Sequence, residues 1–321
     1  LGYSYYYNKT EDVFFNLSLA NSSEYDEIFT NAGEIENKGM EIDLSYDIIK
    51  NDDFSINFSL NWSYYRNKVL DLKGVESIRL GGLSAVSGRA VEGYPLGVFW
   101  GTKFVRNDDG SILLNDVGFP SLAPENGIIG NPHPDWQGGF GTTISYKDLS
   151  LFFLLETYQG ADIYAGTKAV LLNYGRHKDS GIETTTQQDL FDYNGGLITS
   201  GSTFRGSIHD FGAGPVALTE AWYRGIGGYF SGVQEQFVED GSWSRLRELT
   251  LSYSLRSSTF RKATKLSSID FSFTGRNLFI LTDFVGNDPD TNLTEVSTTR
   301  GIDYFNNPGT KSYVFKITIN Y

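Results

Sequence analysis

The chain has 321 residues and a formal net charge of -13 at pH 7, with 20 Tyr, 23 Phe and 36 Gly but no Cys. An acidic surface repels phosphate, which argues against a nucleic-acid partner, and a chain without cysteine has neither disulfides nor thiolate metal sites. Because aromatic residues favour half-buried pleated surfaces and Gly marks turns and bends, the composition favours an all-β fold.

A helical membrane protein is excluded by the hydropathy pattern. The longest purely apolar run covers only residues 151–155, whereas a membrane-spanning helix needs roughly 20 such residues. The chain begins with Leu1 and Gly2, which are neither an initiator Met nor a signal peptide. We therefore expect a mature chain or an internal fragment.

Strict alternation of apolar and polar residues predicts strands along the chain. In the clearest segment, every second residue is apolar or aromatic: Phe54, Ile56, Phe58, Leu60, Trp62 and Tyr64. Its length matches the roughly 9 to 11 residues of a membrane-crossing strand. About ten strands are predicted, near 3–19 (one or two), 34–49, 53–69, 93–106, 136–147, 149–160, 243–256, 266–280 and 311–321.

The predicted connections alternate in length. Short turns at 50–53 and 147–148 contrast with four long, polar, Gly-rich loops, at about 70–92, 107–135, 161–242 and 281–310. Short turns at one end of a sheet and long loops at the other are typical of outer-membrane barrels. A transmembrane antiparallel β-barrel is therefore predicted. A soluble β-sandwich or barrel is the alternative, disfavoured because soluble strands average about 5 to 6 residues.

Four stretches resemble the SusC-like branch of TonB-dependent transporters of Bacteroidetes, in order and in spacing. They are 91–101 (VEGYPLGVFWG), 129–140 (IGNPHPDWQGGF), 238–253 (VEDGSWSRLRELTLSY), and 275–279 (GRNLF) followed by 283–290 (DFVGNDPD). The resemblance covers nearly the whole chain from Glu34 onward, apart from the middle loop. The final Tyr321, preceded by apolar residues at every second position, resembles the C-terminal recognition strand of outer-membrane barrels.

The resemblance implies an architecture larger than this chain. Members of the family carry a plug domain ahead of a barrel of about 22 strands. At about 10 residues per strand plus loops, the chain is too short for such a barrel. Residues 1–321 are therefore predicted to be the C-terminal portion of the barrel, roughly its last ten strands, with the plug absent. The chain is either part of a longer polypeptide or a piece of a split one.

The resemblance also implies a function, which is active import of an oligosaccharide or a peptide across the outer membrane. The implied partners are a SusD-like surface lipoprotein, the TonB complex acting through the missing plug, and the surrounding lipid. One alternative is a stand-alone porin or scaffold barrel, and another is an outer-membrane barrel enzyme. The enzyme is disfavoured because no catalytic set or phosphate-binding motif can be assembled, so no catalytic residue and no cofactor are predicted.

A substrate-binding or partner-binding surface is predicted in the extracellular loop 161–242 and at its end. Loops of that length are usually functional or disordered. This one carries amphipathic residues of the kind that stack on sugars or anchor partners. They are Trp222, Tyr223, Arg224, Tyr229, Phe230 and Trp243. The alternative, equally favoured, is that these side chains pack the loop on itself.

No metal site is predicted. The three histidines lie in predicted loops without a second ligand at metal spacing: His133, His177 and His209. Asp283, Asp288 and Asp290 carry the oxygen ligands that Ca²⁺ prefers, but their spacing is not that of an EF-hand. An acidic loop tip braced by Pro289 is the favoured interpretation of that segment.

Overall fold

The computed structural model describes residues 1–18, 22, 27–294 and 297–321. Its main feature is an eight-stranded antiparallel sheet in which each strand pairs with the next one along the chain. The strands are β1 (Gly2–Ser18), β2 (Glu27–Lys50), β3 (Phe54–Asp71), β4 (Trp136–Tyr146), β5 (Leu149–Gln159), β6 (Trp243–Leu255), β7 (Ser268–Thr282) and β8 (Ser312–Asn320). The predicted all-β, antiparallel fold is confirmed.

One face of this sheet, the apolar face, carries the hydrophobic half of the predicted alternation. Residues of neighbouring strands stand directly opposite one another and form rows across the sheet. One row joins six strands: Ile56, Ile144, Leu151, Leu251, Phe273 and Phe315. Leu251, Phe273 and Phe315 are exposed. An apolar band with this exposure is what a lipid-contacting surface requires.

The opposite face, the polar face, carries the other half of the alternation. The row next to the one above is Ser55, Ser145, Ser150, Ser252, Ser272 and Lys316. The hydroxyls of Ser145 and Ser150 are 3.1 Å apart, within hydrogen-bonding distance. Because short hydroxyl side chains both donate and accept hydrogen bonds, this face is suited to contact with water.

Three long connections leave the sheet from the same end, because antiparallel pairing places the end of one strand beside the start of the next. They span residues 72–135, 160–242 and 283–311. We call this end of the sheet the loop end, and the three connections together the cap. The long loops predicted at 161–242 and 281–310 are therefore present at this end, whereas those predicted at 70–92 and 107–135 belong to one connection.

The first cap connection forms a small sheet of its own. Its four antiparallel strands are Ser77–Gly82, Ser87–Val91, Val98–Gly101 and Gly127–Gly130. The strand predicted at 93–106 is therefore wrong, since only its residues 98–101 form a strand, and that strand belongs to this small sheet. Gly97 adopts a φ of +92°, a left-handed value that interrupts an extended run.

The second cap connection, predicted as a long loop, contains regular structure. Its helices are α1 (Gly166–Asn173), α2 (Lys178–Gly181) and α3 (Glu220–Arg224), with a 3-10 turn at Gln234–Phe237. Its short strands are Asp162–Ala165, Glu183–Thr185, Leu190–Phe191, Leu197–Ile198, Thr203–Arg205, Ser207–Asp210, Pro215–Leu218 and Val238–Asp240. The third connection adds the 3-10 turn Ser297–Thr299 and the strand Ile302–Asp303, which pairs with Asp162–Ala165.

The largest hydrophobic core among the described residues lies in the cap. Its buried members are Val86, Phe99, Phe119, Ile129, Tyr164, Ala169, Val170, Leu172, Val216, Leu218, Trp222, Tyr223, Tyr229, Phe237 and Ile302. They come from all three cap connections. Burial of these side chains against one another therefore holds the three connections together as one folded unit.

Short connections close the opposite end of the sheet, which we call the turn end. Lys147, in the two-residue turn between β4 and β5, has the positive φ of +54° that a tight hairpin needs. Helix α4 (Ser258–Thr264) joins β6 to β7, and the Ser257 hydroxyl caps it by accepting a hydrogen bond from the Phe260 N–H at 3.2 Å. Among the described residues, no helix is long and apolar enough to cross a membrane.

Candidate functional site

Two cavities open on the polar face at the loop end of the sheet, with volumes of about 290 and 360 Å³. Residues lining the first include Pro132, Tyr158, Asp162, Trp243, Asp290 and Arg300. Residues lining the second include Glu41, Tyr65, Asn67, His133, Gln137 and Arg300. Because Arg300 lines both cavities, we treat them as one site and call it the Arg300 site.

An aromatic wall borders the first cavity. Tyr158 and Trp243 stand directly opposite each other on β5 and β6, and their rings stack with centroids 6.0 Å apart and planes 12° apart. The guanidinium groups of Arg245 and Arg247 lie 5.2 and 5.5 Å from the Trp243 ring centroid. Cations at this distance over an indole are attracted by its electron-rich face. The Trp243 ring is therefore contacted by the Tyr158 ring and by two guanidinium groups.

A charge network fastens the third cap connection to the sheet. Arg245, only 5% exposed, forms an ion pair with Asp288, and its Nη1 lies 4.0 Å from Oδ2 of Asp290. Arg247 donates a hydrogen bond from Nη2 to the same Asp290 oxygen at 3.0 Å, and its Nε pairs with Glu156. Carboxylates of the cap are thus bound by arginines of β6.

A β-bulge in β6 allows this network to form. The pairings of β6 with β5 and with β7 both shift register between Leu246 and Glu248. Arg247 is an extra residue relative to β5, whereas on the other side it stands against two residues of β7, Asn277 and Leu278. Simple alternation predicts that Arg245 and Arg247 share a face with Leu249. The bulge corrects this prediction, because it changes the parity of the strand and leaves the arginines on the polar face.

The acidic loop tip is paired with arginines of β6. Asp288 and Asp290 direct their carboxylates at Arg245 and Arg247, so the positive charge beside them is supplied by the protein. In the described ranges, no group of three or more His, Asp or Glu side chains is placed to hold a metal ion. The loop tip is an anchor for the cap.

His133 and Asp162 of the cap line the Arg300 site, and burial shifts the pKa of each. Burial lowers the pKa of His133, with Arg300 lowering it further, and the contact between its Nε2 and the Leu96 carbonyl, 2.7 Å long, opposes the shift. Burial also raises the pKa of Asp162, whose carboxylate accepts a hydrogen bond from the Asn131 N–H at 2.6 Å. The neutral imidazole of His133 is therefore favoured.

The residues predicted to contact substrate or partner lie in three different places. Trp222, Tyr223 and Tyr229 are buried in the cap core. Phe230 and Arg224 are exposed on the cap. Trp243 alone of the six lines the Arg300 site.

Packing explains why half of the predicted residues are inaccessible. The Trp222 ring lies 5.5 Å from that of Phe119, 5.7 Å from Tyr193 and 5.3 Å from Phe211, centroid to centroid. Aromatic clusters of this kind contribute core stability. For these buried side chains the packing role is observed, whereas a binding role for the exposed ones stays a prediction.

The sequence does not single out Tyr158, His133, Asp162 or Arg300 as site residues. Tyr158 stands opposite Trp243, so the register of β5 against β6 is the signal that would have found it. Arg300 reaches the site only because the cap folds back over the polar face. No local pattern predicts that placement.

The chain is similar in sequence to several TonB-dependent receptors. No protein-family model matches it. It is 25% identical over 351 residues to TonB-dependent receptor P3 of Formosa agariphila, covering 100% of this chain and 32% of the relative. It is 32% identical over 182 residues to TonB-dependent receptor P26 of the same organism, covering 50% of this chain and 18% of the relative. It is 23% identical to TonB-dependent receptor SusC of Bacteroides thetaiotaomicron, covering 89% of this chain and 27% of the relative.

The chain is a relative of the SusC-like TonB-dependent receptors. The SusC-like fold is supported by solved structures as well. The structure of the RagAB peptide transporter matches 99% of this chain and 33% of its own, with a TM-score of 0.68 and 18% identity. The RagAB peptide importer in its closed-closed state gives a TM-score of 0.67 and 19% identity. The chain thus spans about a third of the length of P3 and of these structures.

Proposed function

We propose that this chain forms part of an outer-membrane, TonB-dependent importer of a nutrient. The observation that carries the proposal is the Arg300 site, which lies at the loop end of a sheet with one apolar and one polar face. In a closed barrel the apolar face contacts lipid and the polar face lines the lumen. A site on the polar face at the loop end then stands at the entrance to that lumen.

The proposed orientation puts the loop end and the cap outside the cell. Outer-membrane barrels have longer loops on the extracellular side and short turns on the periplasmic side. Ligand enters the Arg300 site from outside and leaves along the polar face, whose Ser row offers hydroxyls but no deep binding pocket. The energy for release is assigned to TonB acting on a plug that lies outside these 321 residues.

The proposed substrate is an oligosaccharide or a peptide. The stacked pair Tyr158 and Trp243 offers an aromatic wall, and Arg300 and Asp162 offer charged hydrogen-bonding groups within the same cavity. Both substrate classes combine apolar surfaces with many hydrogen-bonding groups. The solved relatives are named as a peptide transporter and a peptide importer, which supports the peptide for those proteins.

The proposed partner is a SusD-like surface lipoprotein seated on the cap. Phe230 is 63% exposed, and its ring contacts that of Tyr174, which is 64% exposed, at 5.8 Å between centroids. Exposed aromatic pairs of this kind are frequent anchors of protein interfaces. We assign Phe230 to the lipoprotein contact.

Uptake of labelled oligosaccharides and peptides by cells carrying the full-length gene tests the import proposal. We expect one substrate class to accumulate, accumulation to stop when TonB is deleted, and Trp243→Ala to reduce it without lowering the amount of receptor in the membrane. Tyr253→Ala, on the apolar face at the turn end, is the control and should leave uptake unchanged. Entry of small solutes of any class without TonB would instead identify a porin.

Co-purification tests the partner separately. Phe230→Ala should reduce the amount of lipoprotein retained by the tagged receptor, whereas Phe191→Ala, another exposed cap aromatic, should not. Deleting the segment around Phe230 is a poorer test, because Trp222 and Tyr229 belong to the cap core and their loss would unfold it. Equal retention by both variants would remove the proposed contact.

A further inference from the structure

A third cavity lies within the second cap connection and shares no lining residue with the Arg300 site. Its volume of about 500 Å³ falls in the range of roughly 300 to 1,000 Å³ that is usual for small organic ligands. Polar and aromatic residues dominate its lining: Asn173, Tyr174, Arg176, Arg205, Tyr223 and Arg224, with Glu220. We call it the cap cavity.

The cap cavity is basic although the chain is acidic. Three arginines and one glutamate line it, so its formal charge is 3 - 1 = +2, while the whole chain carries -13. A local charge opposite to that of the surrounding surface is a feature of sites that attract charged ligands. An anion is the ligand that this charge favours.

Two of these arginines are available to a ligand. Arg176 and Arg205 are exposed, and neither side chain makes an ion pair or a hydrogen bond with any residue in the described part of the chain. A guanidinium group donates two parallel hydrogen bonds to a planar carboxylate or to two oxygens of a tetrahedral anion. Two such groups lining the same cavity give a site for an oxyanion.

Among the described residues, the third arginine, Arg224, is held only by an exposed ion pair. Arg224 pairs with Glu220 one helical turn earlier on α3, at 3.2 Å, and both side chains are largely exposed. Exposed pairs of this type contribute little to stability. Arg224 is therefore able to exchange Glu220 for a ligand anion. Glu220 is the acidic residue among those lining the cavity, and Glu183, which stands opposite Arg205 on the neighbouring strand, also opposes an anion.

An exposed aromatic ring stands beside these arginines. Tyr174 follows the end of α1 and precedes Gly175, whose φ of +65° reverses the chain before Arg176. Tyr223 also lines the cavity but is buried, with its hydroxyl 2.9 Å from that of Ser207. A broad aromatic face suits the C–H face of a sugar ring, whereas a flexible acidic peptide has no need of one.

We propose that the cap cavity binds an acidic saccharide, with Arg176 and Arg205 on its carboxylate or sulfate group and Tyr174 against a sugar ring. Arg224 adds a third contact when it leaves Glu220. The proposal concerns capture of ligand on the cap and does not depend on energy-coupled import. Binding by purified protein therefore tests it without any requirement for TonB.

The test is calorimetric titration of the full-length protein in detergent with oligogalacturonate, dextran sulfate, uncharged dextran and polyglutamate. We expect binding of oligogalacturonate or of dextran sulfate, and which of the two binds identifies the anion. Uncharged dextran should not bind. The double variant R176Q/R205Q should weaken binding by about tenfold or more, since hydrogen bonds to charged groups contribute that much.

Two further variants separate the contributions. R261Q/K262Q, on α4 at the turn end, also removes two positive charges, but away from the cap cavity, and should leave the affinity unchanged. Y174A should weaken binding while leaving its salt dependence as it was, because it removes packing and no charge. Unchanged affinity in R176Q/R205Q, or no binding of either acidic saccharide, overturns the proposal. Tight polyglutamate binding that is lost in R176Q/R205Q overturns it in favour of an acidic peptide.

Discussion

Arg245 is the single residue on which the attachment of the third cap connection depends most. Its side chain is buried against Asp288, and its Nε has no hydrogen-bond partner among the described residues. A buried ion pair is not strongly stabilising as a whole, but removing one member leaves the other charge buried and uncompensated. The two side chains therefore act as a unit.

We expect Arg245→Ala to lower the free energy of unfolding by about 3 to 5 kcal/mol, because Asp288 is then left buried without a cation. The double variant R245A/D288A should recover part of that loss. Arg256→Ala is the control, since its pair with Asp148 is largely exposed and should change stability by less than about 1 kcal/mol. Denaturant unfolding in detergent measures all three. Equal losses for Arg245 and Arg256 would contradict the buried-pair account.

His133 makes the stability of the cap depend on pH. The pKa of its imidazole is lowered in the folded protein from the ordinary value of 6.5, so the unfolded chain binds the proton more readily. Stability is then greater above the unfolded pKa and falls as pH drops below about 6.5. We expect His133→Gln to flatten the fall between pH 7.5 and pH 5.5, measured as the unfolding midpoint of the receptor. If the wild-type unfolding midpoint rises on acidification and that of the variant does not, protonation of His133 stabilises the cap, and the prediction is wrong.

At the scale of elements, the turn before the strand Val98–Gly101 controls how the third cap connection lies. Gly97 has a φ of +92°, and a Cβ added there would come within 2.7 Å of the Thr298 carbonyl oxygen. That carbonyl belongs to the 3-10 turn just ahead of Arg300. The absence of a side chain at Gly97 thus allows the turn to pack close to the Arg300 site.

We expect Gly97→Ala to displace the turn and expose Arg300, because backbone strain is joined by a contact that is too short. Gly110→Ala is a matched control, with a φ of +85° but nothing within 4 Å of the added Cβ. It carries the strain alone, about 1 to 2 kcal/mol. Trypsin should cleave after Arg300 faster in the Gly97 variant than in the Gly110 variant. Identical cleavage rates would show that the close contact has no effect.

Alternation predicts the strands of the main sheet well, because one face is apolar and the other polar, so each strand repeats the same two-residue period. It fails where the chain leaves that sheet. Residues 98–101 are extended but lie in the cap, where burial in the cap core sets the length of a strand. The bulge at Arg247 is also invisible, since it depends on both neighbouring strands.

The site is less predictable than the sheet for a related reason. Trp243 is found from sequence because it is an aromatic residue at the end of the long segment 161–242, and Tyr158 follows once the register of β5 and β6 is known. Arg300 and His133 enter from two separate cap connections, and only the fold of the cap brings them together. An aromatic residue in a long segment is not thereby exposed, as the buried Trp222 shows.

At the scale of the whole molecule, the main sheet has two edges. Among the described residues β1 pairs only with β2, and β8 pairs only with β7. Unpaired N–H and C=O groups cannot remain at an open edge in lipid. The sheet therefore requires further strands, or closure on itself, in order to span a membrane.

We expect residues 1–321 refolded alone in detergent to show no heat-modifiable band on a gel, because both edges are left open. The full-length protein should show such a band. A heat-modifiable band from 1–321 alone would mean that β1 and β8 close into an eight-stranded barrel, which is a possible barrel size. That result would favour the stand-alone barrel over the larger importer.

The second cap connection begins and ends at neighbouring positions, since Tyr158 and Trp243 stand opposite each other. A segment with adjacent ends can be exchanged for another without moving the strands that carry it. The cap cavity lies wholly within this segment. Ligand preference at the cap is therefore able to evolve, or to be engineered, by transplanting residues 160–242, provided that the positions packed against the other two cap connections keep their core side chains, while the sheet, its register and its turns stay constant.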